Sequence, residues 1–561
     1  MNAARHTRRA FLRNAGLATA GLALAPSAIA TPHVLTPRRT RISTEQGTLR
    51  FVPHYVQRGV GPHIRWAYAS DQNWDAFRSN IEATEEQGVF ISDADGVQRF
   101  GINTRWNVEG FGFIFITADN GGELYELPPP GQTRELNLNF ELARSRVMRN
   151  RRRLAKHQAD GWQPSREVRA FLDISDDLYE DAVRVRGDEL RRASIAQDAL
   201  RNAMRASELM ELDNARFAIS RRGTRDDFFM GCDARSFYQM DPDAFMEGFT
   251  EIFDYATITH YLTIGHLGVP DFEPTEGDKR FDTRDALFRR LRRQDITVQG
   301  RPLYYAYESV TPDWLREKSY DELLRYVERH TREVVGHYGD GMYAWEVVNE
   351  LHDWANQNRL SPEQTVELTK LACDVAKDTA PNVHRLINNC CPFAEYVQLG
   401  TWGNLEATYP QRTPWQFMRD LVDAGVDFTI TGQQMYFPHR DLQDIIMLLE
   451  RFEQFGRPVH LTEVGATSGP SNASVKLGSL TIPDDPYVWH RHWDEELQAD
   501  WLEAVYTLAY SKPWIEAANW YDYEDAYAWI QNGGLVRSRQ GEKKAAFHRL
   551  MRVQKEWGWT P

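Results

Sequence analysis

Two glutamates stand at the ends of apolar, strand-like segments of the sequence. Glu350 ends the segment YAWEVVNE, and Glu463 follows the segment RPVHLT. Two carboxyl groups held about 5 to 5.5 Å apart suit glycosidic hydrolysis with retention of configuration, one as acid then base and the other as nucleophile. The charge of the nucleophile raises the pKa of its neighbour, which can then donate a proton at neutral pH. Each glutamate alone is more often a surface or salt-bridged residue, whereas the pair predicts a catalytic site.

The segments that carry these glutamates belong to a longer alternating pattern. Amphipathic helical stretches separate eight strand-like segments, at residues 228–232, 255–260, 296–307, 343–350, 384–389, 428–436, 457–465 and 515–523. This alternation predicts an α/β protein whose catalytic domain is a (β/α)8 TIM barrel over residues 213–561. Catalytic groups of that fold stand at the carboxyl ends of the strands. We therefore expect Glu350 and Glu463 at one rim, on the fourth and seventh strands.

The residues before the barrel show other patterns. Short alternating and aromatic runs broken by turn residues predict an all-β sandwich, similar to a carbohydrate-binding module, over residues 45–165. Stretches rich in Arg, Glu and Ala with helical spacing predict a helical connector over residues 166–212. Two interpretations, a sugar-binding platform and sandwich core, are open for four rings: Trp66, Trp74, Trp106 and Phe111.

Composition and charge narrow the classes of partner. The 561 residues include 66 Lys and Arg and 80 Asp and Glu, which gives a net charge of −14. A surface of this sign repels phosphate backbones, so we expect no nucleic acid partner. No segment after the first thirty residues is long and apolar enough to span a bilayer, so we expect no membrane association once a leader is removed. The oligomeric state cannot be read from the sequence.

The cysteines and histidines do not form a recognisable ligand set. No disulfide framework or C-x-x-C site is present among Cys232, Cys373, Cys390 and Cys391. No matched set of further ligands accompanies His260, His266, His490 and His492. We therefore expect neither a metal nor another cofactor.

The motifs around the two glutamates resemble a known family. WEVVNE, followed 113 residues later by VHLTEVG, resembles the clan A glycosidases and most closely glycoside hydrolase family 10, the endo-β-1,4-xylanases. The segments DDFFMGC, VTPDWL, TGQQMYF and DAYAWIQNGGLV are also similar to segments of that family. The resemblance covers roughly Leu212 to the C-terminus.

The resemblance implies a role for each matching residue. It implies that Glu350 is the acid/base and Glu463 the nucleophile. It further implies that Asn349 donates to a sugar 2-hydroxyl and that Gln434 lies beside the nucleophile. Two tryptophans of the closing segment are implied as sugar-contacting rings: Trp520 and Trp529.

Three departures from the family pattern affect substrate binding. After the second strand, Thr259, His260 and Thr263 stand in place of a Glu-Asn pair and a Lys. On the third strand, two histidines around a Trp are replaced by a different set: Arg301, Tyr304, Tyr305 and Tyr307. On the sixth strand, Tyr436 replaces a His, and its phenol could hold the nucleophile. We expect substrate contacts from His260, Tyr305, Tyr307 and Tyr436.

These observations predict a retaining glycoside hydrolase that cleaves β-glycosidic bonds in a polysaccharide or oligosaccharide and has a specificity unlike that of a xylanase. Arg301 either points inward, where it could bind an acidic sugar, or pairs with a neighbouring carboxylate and supports its strand. The alternatives are a clan A exo-glycosidase on a non-xylan glycan and a non-catalytic carbohydrate-binding barrel. The insertion at residues 466–494 is expected to form a lid or wall over the site, or a surface loop.

The first thirty residues have the pattern of an export signal. Arg8 and Arg9 precede Phe11 and Leu12, and a short apolar stretch follows at 15–25. This stretch is too short to cross a bilayer, which takes about 20 residues. The paired arginines resemble a Tat signal, so we expect residues 1–30 to be a leader and the protein to be periplasmic or extracellular.

Replacing the paired arginines tests this expectation. Because the pair is the element that the export machinery reads, the variant Arg8→Lys with Arg9→Lys should accumulate as a cytoplasmic precursor. Immunoblots of the cytoplasmic and exported fractions measure how much precursor accumulates. Normal export of the double variant would reject the Tat assignment.

Overall fold

The computed structural model describes residues 47–54, 64, 66–263, 268–402, 405–436, 439–469, 475–477, 480–482 and 489–561. The predicted leader at residues 1–30 lies outside these ranges, as do His266 and much of the insertion at 466–494. Within these ranges, no helix combines the length and the apolar character needed to cross a membrane.

The N-terminal region is rich in β-structure. Its strands are β1 (Thr48–Val52), β2 (Ala67–Ser70), β3 (Ala76–Phe77), β4 (Asn80–Thr84), β5 (Gly88–Asp93), β6 (Gly101–Val108), β7 (Gly112–Ala118) and β8 (Thr133–Asn137). They form two four-stranded sheets, in the orders β4-β5-β1-β8 and β3-β2-β6-β7. All pairs are antiparallel except β1 with β8.

The predicted boundaries of the sandwich and the connector are wrong. The last strand of the sheets ends at Asn137, and helix α1 follows directly over Leu138–Ala159. The helical part continues through α2 (Arg166–Arg184) and α3 (Glu189–Arg222). The helices begin early because the Asn137 side chain caps α1 by accepting a hydrogen bond from the Phe140 amide.

The two sheets and the helices share one hydrophobic core. Leu49 of β1, Ile102 of β6 and Leu142 of α1 are all fully buried in this cluster. Trp106 and Phe111 belong to it as well, so they cannot form an exposed sugar platform. The Trp74 ring lies under the guanidinium of Arg149, 4.8 Å away. The core interpretation therefore holds for Trp106 and Phe111.

The C-terminal region is a closed barrel of eight parallel strands, as the sequence predicted. The barrel strands are β9 (Phe229–Asp233), β10 (Tyr255–Thr259), β11 (Thr297–Arg301), β12 (Ala344–Asn349), β13 (His384–Asn389), β16 (Ile430–Tyr436), β17 (Val459–Gly465) and β20 (Ile515–Trp520). Two short hairpins lie outside it: β14 (Thr401–Trp402) with β15 (Leu405–Glu406), and β18 (Val475–Leu477) with β19 (Leu480–Ile482).

Helices surround the barrel and cover the outer face of its strands, which is why the strands are continuous apolar runs. They are α4 (Pro242–Thr250), α5 (Phe281–Arg292), α6 (Asp313–Arg316), α7 (Tyr320–Tyr338), α8 (Pro362–Thr379), α9 (Tyr396–Leu399), α10 (Pro414–Asp423), α11 (Leu442–Phe452), α12 (Glu495–Ser511) and α13 (Ala545–Trp557). Since parallel strands are covered on both faces, every residue of β12 and β17 is buried. Capping boxes at Ser319, Ser361 and Thr413 begin three of these helices.

Buried ion pairs join the N-terminal region to the catalytic end of the barrel. Arg146 of α1 contacts both carboxylate oxygens of Asp441, at 2.9 and 2.5 Å, and Arg149 contacts Asp444 at 2.6 Å. Asp441 is the residue that caps α11, just after the sixth barrel strand. Removing one partner of such a buried pair costs roughly 3 to 5 kcal/mol because the other charge is left uncompensated. These contacts therefore hold the N-terminal region firmly against the loops that border the site.

Candidate active site

Glu350 is the first residue after β12, and its backbone is unusual. Its φ is +55°, in the left-handed region that residues other than glycine rarely adopt. Its amide donates to the carbonyl of Asn388 on the neighbouring strand, at 2.9 Å. Strained backbone of this kind costs of order 1 to 3 kcal/mol and is typical of functional sites. The turn directs the Glu350 side chain toward the residues that close the neighbouring strands.

Glu463 lies inside β17, two residues before the strand ends. The pairing of β17 with β20 shifts between Leu461 and Val464, which marks a β-bulge. Successive strand residues normally face opposite sides, and a bulge changes the direction of a side chain. Thr462 and Glu463 can therefore both turn inward, where both contact Asn388.

Three side chains donate hydrogen bonds to Glu350. The phenol of Tyr305 donates to Oε2 at 2.8 Å, and the amide of Gln434 donates to Oε1 at 2.8 Å. Asn349 Nδ2 lies 3.4 Å from Oε1. As expected, Gln434 lies beside Glu463, because the two residues stand opposite each other in the pairing of β16 with β17, but its amide bonds the other glutamate. Its Nε2 also reaches the side-chain oxygen of Asn349, at 3.5 Å.

Three other side chains hold Glu463. Arg301 and Asn388 both donate to Oε1, the latter at 3.1 Å, and the phenol of Tyr436 donates to Oε2. The expected contact of Tyr436 with this carboxylate is therefore present. Of the two interpretations of Arg301, the structure favours pairing with neighbouring carboxylates, and Glu463 is one of them.

The two glutamates lie in different electrostatic surroundings. Burial raises the pKa of Glu350 to about 7, and the charge of Glu463 adds to the effect. Hydrogen bonds from Gln434 and Tyr305 act in the opposite direction, because they favour the carboxylate. Glu350 therefore holds a proton over part of the neutral range, while Glu463 is ion-paired with Arg301. This difference suits an acid paired with a nucleophile.

Asn388 is a site residue that sequence reasoning did not identify. Its Nδ2 lies 3.1 Å from Glu463, 3.0 Å from Asn349 Oδ1 and 3.2 Å from Glu346. A Cβ atom on Gly432 would approach the Asn388 side-chain oxygen to 2.9 Å, so the glycine leaves room for this amide. One signal was present: Asn388 lies next to the end of the fifth predicted strand, where polar side chains reach the catalytic rim.

Two more buried carboxyl groups near the site, those of Glu346 and Asp233, were not identified from the sequence. Both lie below the rim, Glu346 at 3.3 Å and Asp233 at 3.9 Å from the Arg301 guanidinium. Burial raises the pKa of Glu346 to about 8, although the charge of Arg301 opposes it. Arg301 therefore stands among three acidic side chains, of which Glu346 holds a proton at neutral pH.

Two predicted substrate contacts are wrong because the rings face away from the site. His260 is 1% exposed and packs against Phe272 and Trp345, with Nε2 3.2 Å from the phenol of Tyr338 on α7. Trp520 is completely buried, and its indole donates to the carbonyl of Gly533. Both rings lie in the apolar layer between strands and helices rather than at the rim.

The remaining predicted contacts have less buried rings. Tyr307 is half-buried and stacks on Tyr305, with ring centroids 5.9 Å apart and an angle of 10°. Trp529 is 54% exposed, and its amide donates to Asp522, which pairs with Arg235. The position of both rings leaves them open to a ligand, and their sugar contacts stay a prediction.

Within the described ranges, no group of three or more His, Cys, Asp or Glu is arranged to hold a metal ion. His490 instead contacts the carboxylate of Glu208 at 2.9 Å and the carbonyl of Gly110. The predicted lid at 466–494 can be followed only in part, because 470–474, 478–479 and 483–488 lie outside the described residues.

Comparison with known proteins relates the barrel to one family. The model of "Glycosyl hydrolase family 10" matches residues 267–553, about half of the chain. The matched range contains both glutamates and Arg301, whereas β9 and β10 precede it.

Two curated relatives are similar to this chain at low identity. An "Endo-1,4-beta-xylanase B" of Thermotoga neapolitana is 23% identical over 267 residues, 46% of this chain and 66% of the relative. A "Beta-1,4-xylanase" of Dictyoglomus thermophilum is 28% identical over 193 residues, 33% of this chain and 50% of the relative. The chain thus spans between half and two thirds of these relatives. The solved structure of native xylanase 10B from Thermotoga maritima covers 59% of this chain and 96% of its own, at 18% identity and a TM-score of 0.46.

The hydrogen bond from Tyr305 to Glu350 has a measurable consequence. In Tyr305→Phe the carboxylate loses a donor, so the protonated form is favoured and the pKa of Glu350 should rise above about 7. A hydrogen bond to a charged group is worth about 1.5 to 3 kcal/mol, which corresponds to a rise of roughly one unit or more. Carbon-13 NMR titration of the protein with labelled glutamate measures this pKa, and the Glu350 signal is assigned by its absence in Glu350→Gln.

Tyr304→Phe is the matched control for this titration. Tyr304 lies next to Tyr305 in the chain, but its phenol donates to Asn358 at 2.9 Å instead of to Glu350. The pKa of Glu350 should therefore stay at the wild-type value in Tyr304→Phe. Equal titration curves for the two variants would contradict the assigned hydrogen bond.

Proposed function

Because the chain belongs to glycosyl hydrolase family 10, we propose that it is a retaining glycoside hydrolase acting on β-glycosidic bonds of a polysaccharide or oligosaccharide. Glu350 is the acid/base and Glu463 is the nucleophile in this proposal. The observation that carries it is the difference between the surroundings of the two carboxyl groups. The pKa of Glu350 is raised to about 7 beside a Glu463 that is ion-paired with Arg301.

The first step of the reaction forms a glycosyl-enzyme. A carboxylate oxygen of Glu463 attacks the anomeric carbon, and the bond from that carbon to the glycosidic oxygen breaks. The leaving oxygen keeps the electron pair and takes the proton of Glu350. Tyr305 and Gln434 stabilise the Glu350 carboxylate that results, because both donate hydrogen bonds to it.

The second step returns both glutamates to their starting state. Water attacks the anomeric carbon of the glycosyl-enzyme and gives its proton to the Glu350 carboxylate. The bond to Glu463 breaks, and the carboxylate takes back its electron pair. Two inversions leave the configuration of the sugar unchanged.

Asn349 is placed to contact the sugar in the reacting position. Its side-chain oxygen accepts from Asn388 at 3.0 Å, which orients the amide so that Nδ2 faces the side of Glu350. The family resemblance implies that this amide donates to the sugar 2-hydroxyl. Asn388 therefore acts by fixing the orientation of Asn349 as well as by holding Glu463.

The substrate of this protein is proposed to differ from plain xylan, although the relatives named above are xylanases. Thr259 donates to buried Asp233 and His260 faces away from the rim, so neither supplies the contacts of the family's Glu-Asn pair. The cation of Arg301 is engaged by carboxylates of the protein itself. We infer that phenols, chiefly Tyr307, recognise the glycan at this side of the site.

A second candidate is exo action on a non-xylan glycan. One apolar cluster combines residues of the N-terminal sheets with the rim of the barrel, and Trp66, Tyr305, Tyr307 and Cys391 pack against it. Tyr68 and Phe115 of the sheets are buried in this cluster beside Trp354. A wall at one side of the site would limit how far a polymer extends there, which favours release of short products.

Export remains a proposal that rests on residues 1–30 alone. The arginine pair Arg8-Arg9 supports a periplasmic or extracellular location, where polysaccharide substrates are met.

Removing either catalytic carboxyl tests the proposed function. We expect Glu350→Gln and Glu463→Gln each to lower turnover of an aryl β-glycoside, since general acid catalysis alone contributes roughly 10²- to 10⁴-fold. Azide should restore turnover of Glu350→Ala with a retained glycosyl azide, because the small anion replaces the attacking water. Circular dichroism controls for folding. Unchanged turnover in either Gln variant would reject the assignment.

A glycan panel tests the proposed specificity. We expect weak turnover of unsubstituted β-1,4-xylan and better turnover of a substituted or different polymer, because the contacts after β10 and on β11 are changed. Reducing-end release and product size, compared with loss of viscosity, distinguish exo from endo action. Xylan as clearly the best substrate would contradict the specificity proposal and leave the catalytic pair untouched.

A further inference from the structure

Arg301 links opposite sides of the barrel. It is the last residue of β11, the third barrel strand, and it reaches Glu463 on β17, the seventh. In the closed order of the barrel these strands stand four positions apart, across the interior. Arg301 is 1% exposed, so the ion pair with Glu463 is shielded from water.

The contacts of Glu463 leave its two oxygens unequal. An ionised carboxylate has about four acceptor sites, two on each oxygen. Arg301 Nη2 and Asn388 Nδ2 both donate to Oε1, whereas among the residues that the structure describes Oε2 accepts from Tyr436 only. A lone pair of Oε2 therefore stays available for attack on the anomeric carbon.

The rest of the guanidinium has longer contacts, and its Nε makes no hydrogen bond within the described residues. Its Nε lies 3.3 Å from Glu346 and its Nη1 lies 3.9 Å from Asp233, both on the barrel interior. The ring of Tyr521 lies 5.3 Å and that of Tyr261 5.9 Å from the guanidinium carbon. Any swing of Arg301 toward a bound sugar would therefore break its ion pair with Glu463 and leave that buried carboxylate without its cation.

We propose that Arg301 is the positioning residue of the nucleophile: it holds Oε1 of Glu463 so that Oε2 faces the anomeric carbon. This inference rests on the proposed function and assigns a role that the family resemblance does not supply, since a His is expected there. Its corollary is a new ligand site. If the Glu463 side chain is removed, the Arg301 guanidinium faces an empty space of carboxylate size and should bind a small anion.

If Arg301 had only a structural role, a different result would be expected for anion binding. Arg301 would then only balance the charge of Asp233 and tie strands together, and its replacement would lower stability without affecting an anion at position 463. Activity of an Arg301 variant alone would not separate these roles. Anion binding to variants of Glu463 does separate them.

The first measurement compares Glu463→Gly with Glu463→Gln. Both lose the carboxylate, but only the glycine opens a space beside the guanidinium, while the glutamine amide fills it. Azide that binds the folded protein raises its melting temperature as a saturating function of concentration. We expect such a rise in Glu463→Gly and none in Glu463→Gln or the wild type at the same ionic strength. Equal responses of Glu463→Gly and Glu463→Gln would overturn the proposal.

The second measurement is chemical rescue with an activated aryl β-glycoside. In Glu463→Gly, azide attacks the anomeric carbon, the bond to the aryl oxygen breaks, and the aryloxide leaves with the electron pair. The product is the inverted glycosyl azide. We expect the added change Arg301→Met to raise the azide concentration for half-maximal rescue about tenfold or more, since it removes a charge-assisted hydrogen bond.

Arg301→Lys covers the case in which the methionine variant fails to fold. Lysine keeps the positive charge but not the planar fork, so the rescue concentration should rise less than with methionine. Arg284→Lys in the same Glu463→Gly background is the matched control. Arg284 is also buried, but it donates to the backbone carbonyls of Thr259 and Pro270, away from Glu463. Its replacement should leave the rescue concentration unchanged.

The outcomes distinguish this proposal from the proposed function. Full turnover by Glu463→Gln would reject Glu463 as nucleophile and the role of Arg301 with it. A different result would reject the role of Arg301 alone. In that result Glu463→Gln loses turnover, but azide rescues Glu463→Gly equally well whether or not Arg301→Lys or Arg301→Met is added. Folding of each variant is checked by circular dichroism before the comparison.

Discussion

Carboxyl groups inside the barrel must be compensated, because an ionised carboxylate taken out of water costs several kcal/mol unless a cation or hydrogen-bond donors replace its solvent. Asp233, Glu346, Glu350 and Glu463 are all at most 7% exposed, and Arg301 is the guanidinium that reaches three of them. One positive charge cannot neutralise four carboxylates. Burial, with a smaller contribution from the charges of neighbouring carboxylates, raises the pKa of Glu346 to about 8 and that of Glu350 to about 7. Glu346 and Glu350 can therefore hold protons at neutral pH beside the ion pair of Glu463 with Arg301.

Local irregularities of the backbone bring these groups together. Regular strands would alternate their side chains, and only half of the rim residues would face inward. The bulge in β17 lets Thr462 and Glu463 both reach Asn388, and a register shift between Glu346 and Val348 interrupts β12 just before the site. The left-handed φ of Glu350 ends the same strand. The site is therefore built where the barrel departs from regular geometry.

The N-terminal region is part of the architecture around the site. Arg146 and Arg149 of α1 are buried against Asp441 and Asp444 beside the sixth strand, and the Phe115 amide donates to the His439 carbonyl at 2.9 Å. The family match begins only at residue 267, so these contacts come from a part of the chain that precedes the matched range. An exposed sugar platform was one interpretation of the sandwich rings. Burial of Trp106 and Phe111 shows instead that this region uses its aromatic residues to form a core.

The sequence by itself determined the barrel, its eight strands and the two glutamates as candidates for chemistry, although it placed the end of the third strand at residue 307 rather than at Arg301. Such features are local: a buried strand is a short apolar run, and its last polar residue marks the rim. The end of the β region at Asn137 was missed because the buried face of α1 itself carries charged residues, among them Arg146 and Arg149, which interrupt the apolar pattern of a helix. Only the tertiary structure decided that Gln434 bonds Glu350, that Arg301 bonds Glu463, and that His260 and Trp520 face away from the site. These outcomes depend on bulges and on contacts between segments that are distant in the sequence, 84 residues apart for Gln434 and Glu350 and 162 for Arg301 and Glu463. Neither leaves a periodic pattern in the sequence.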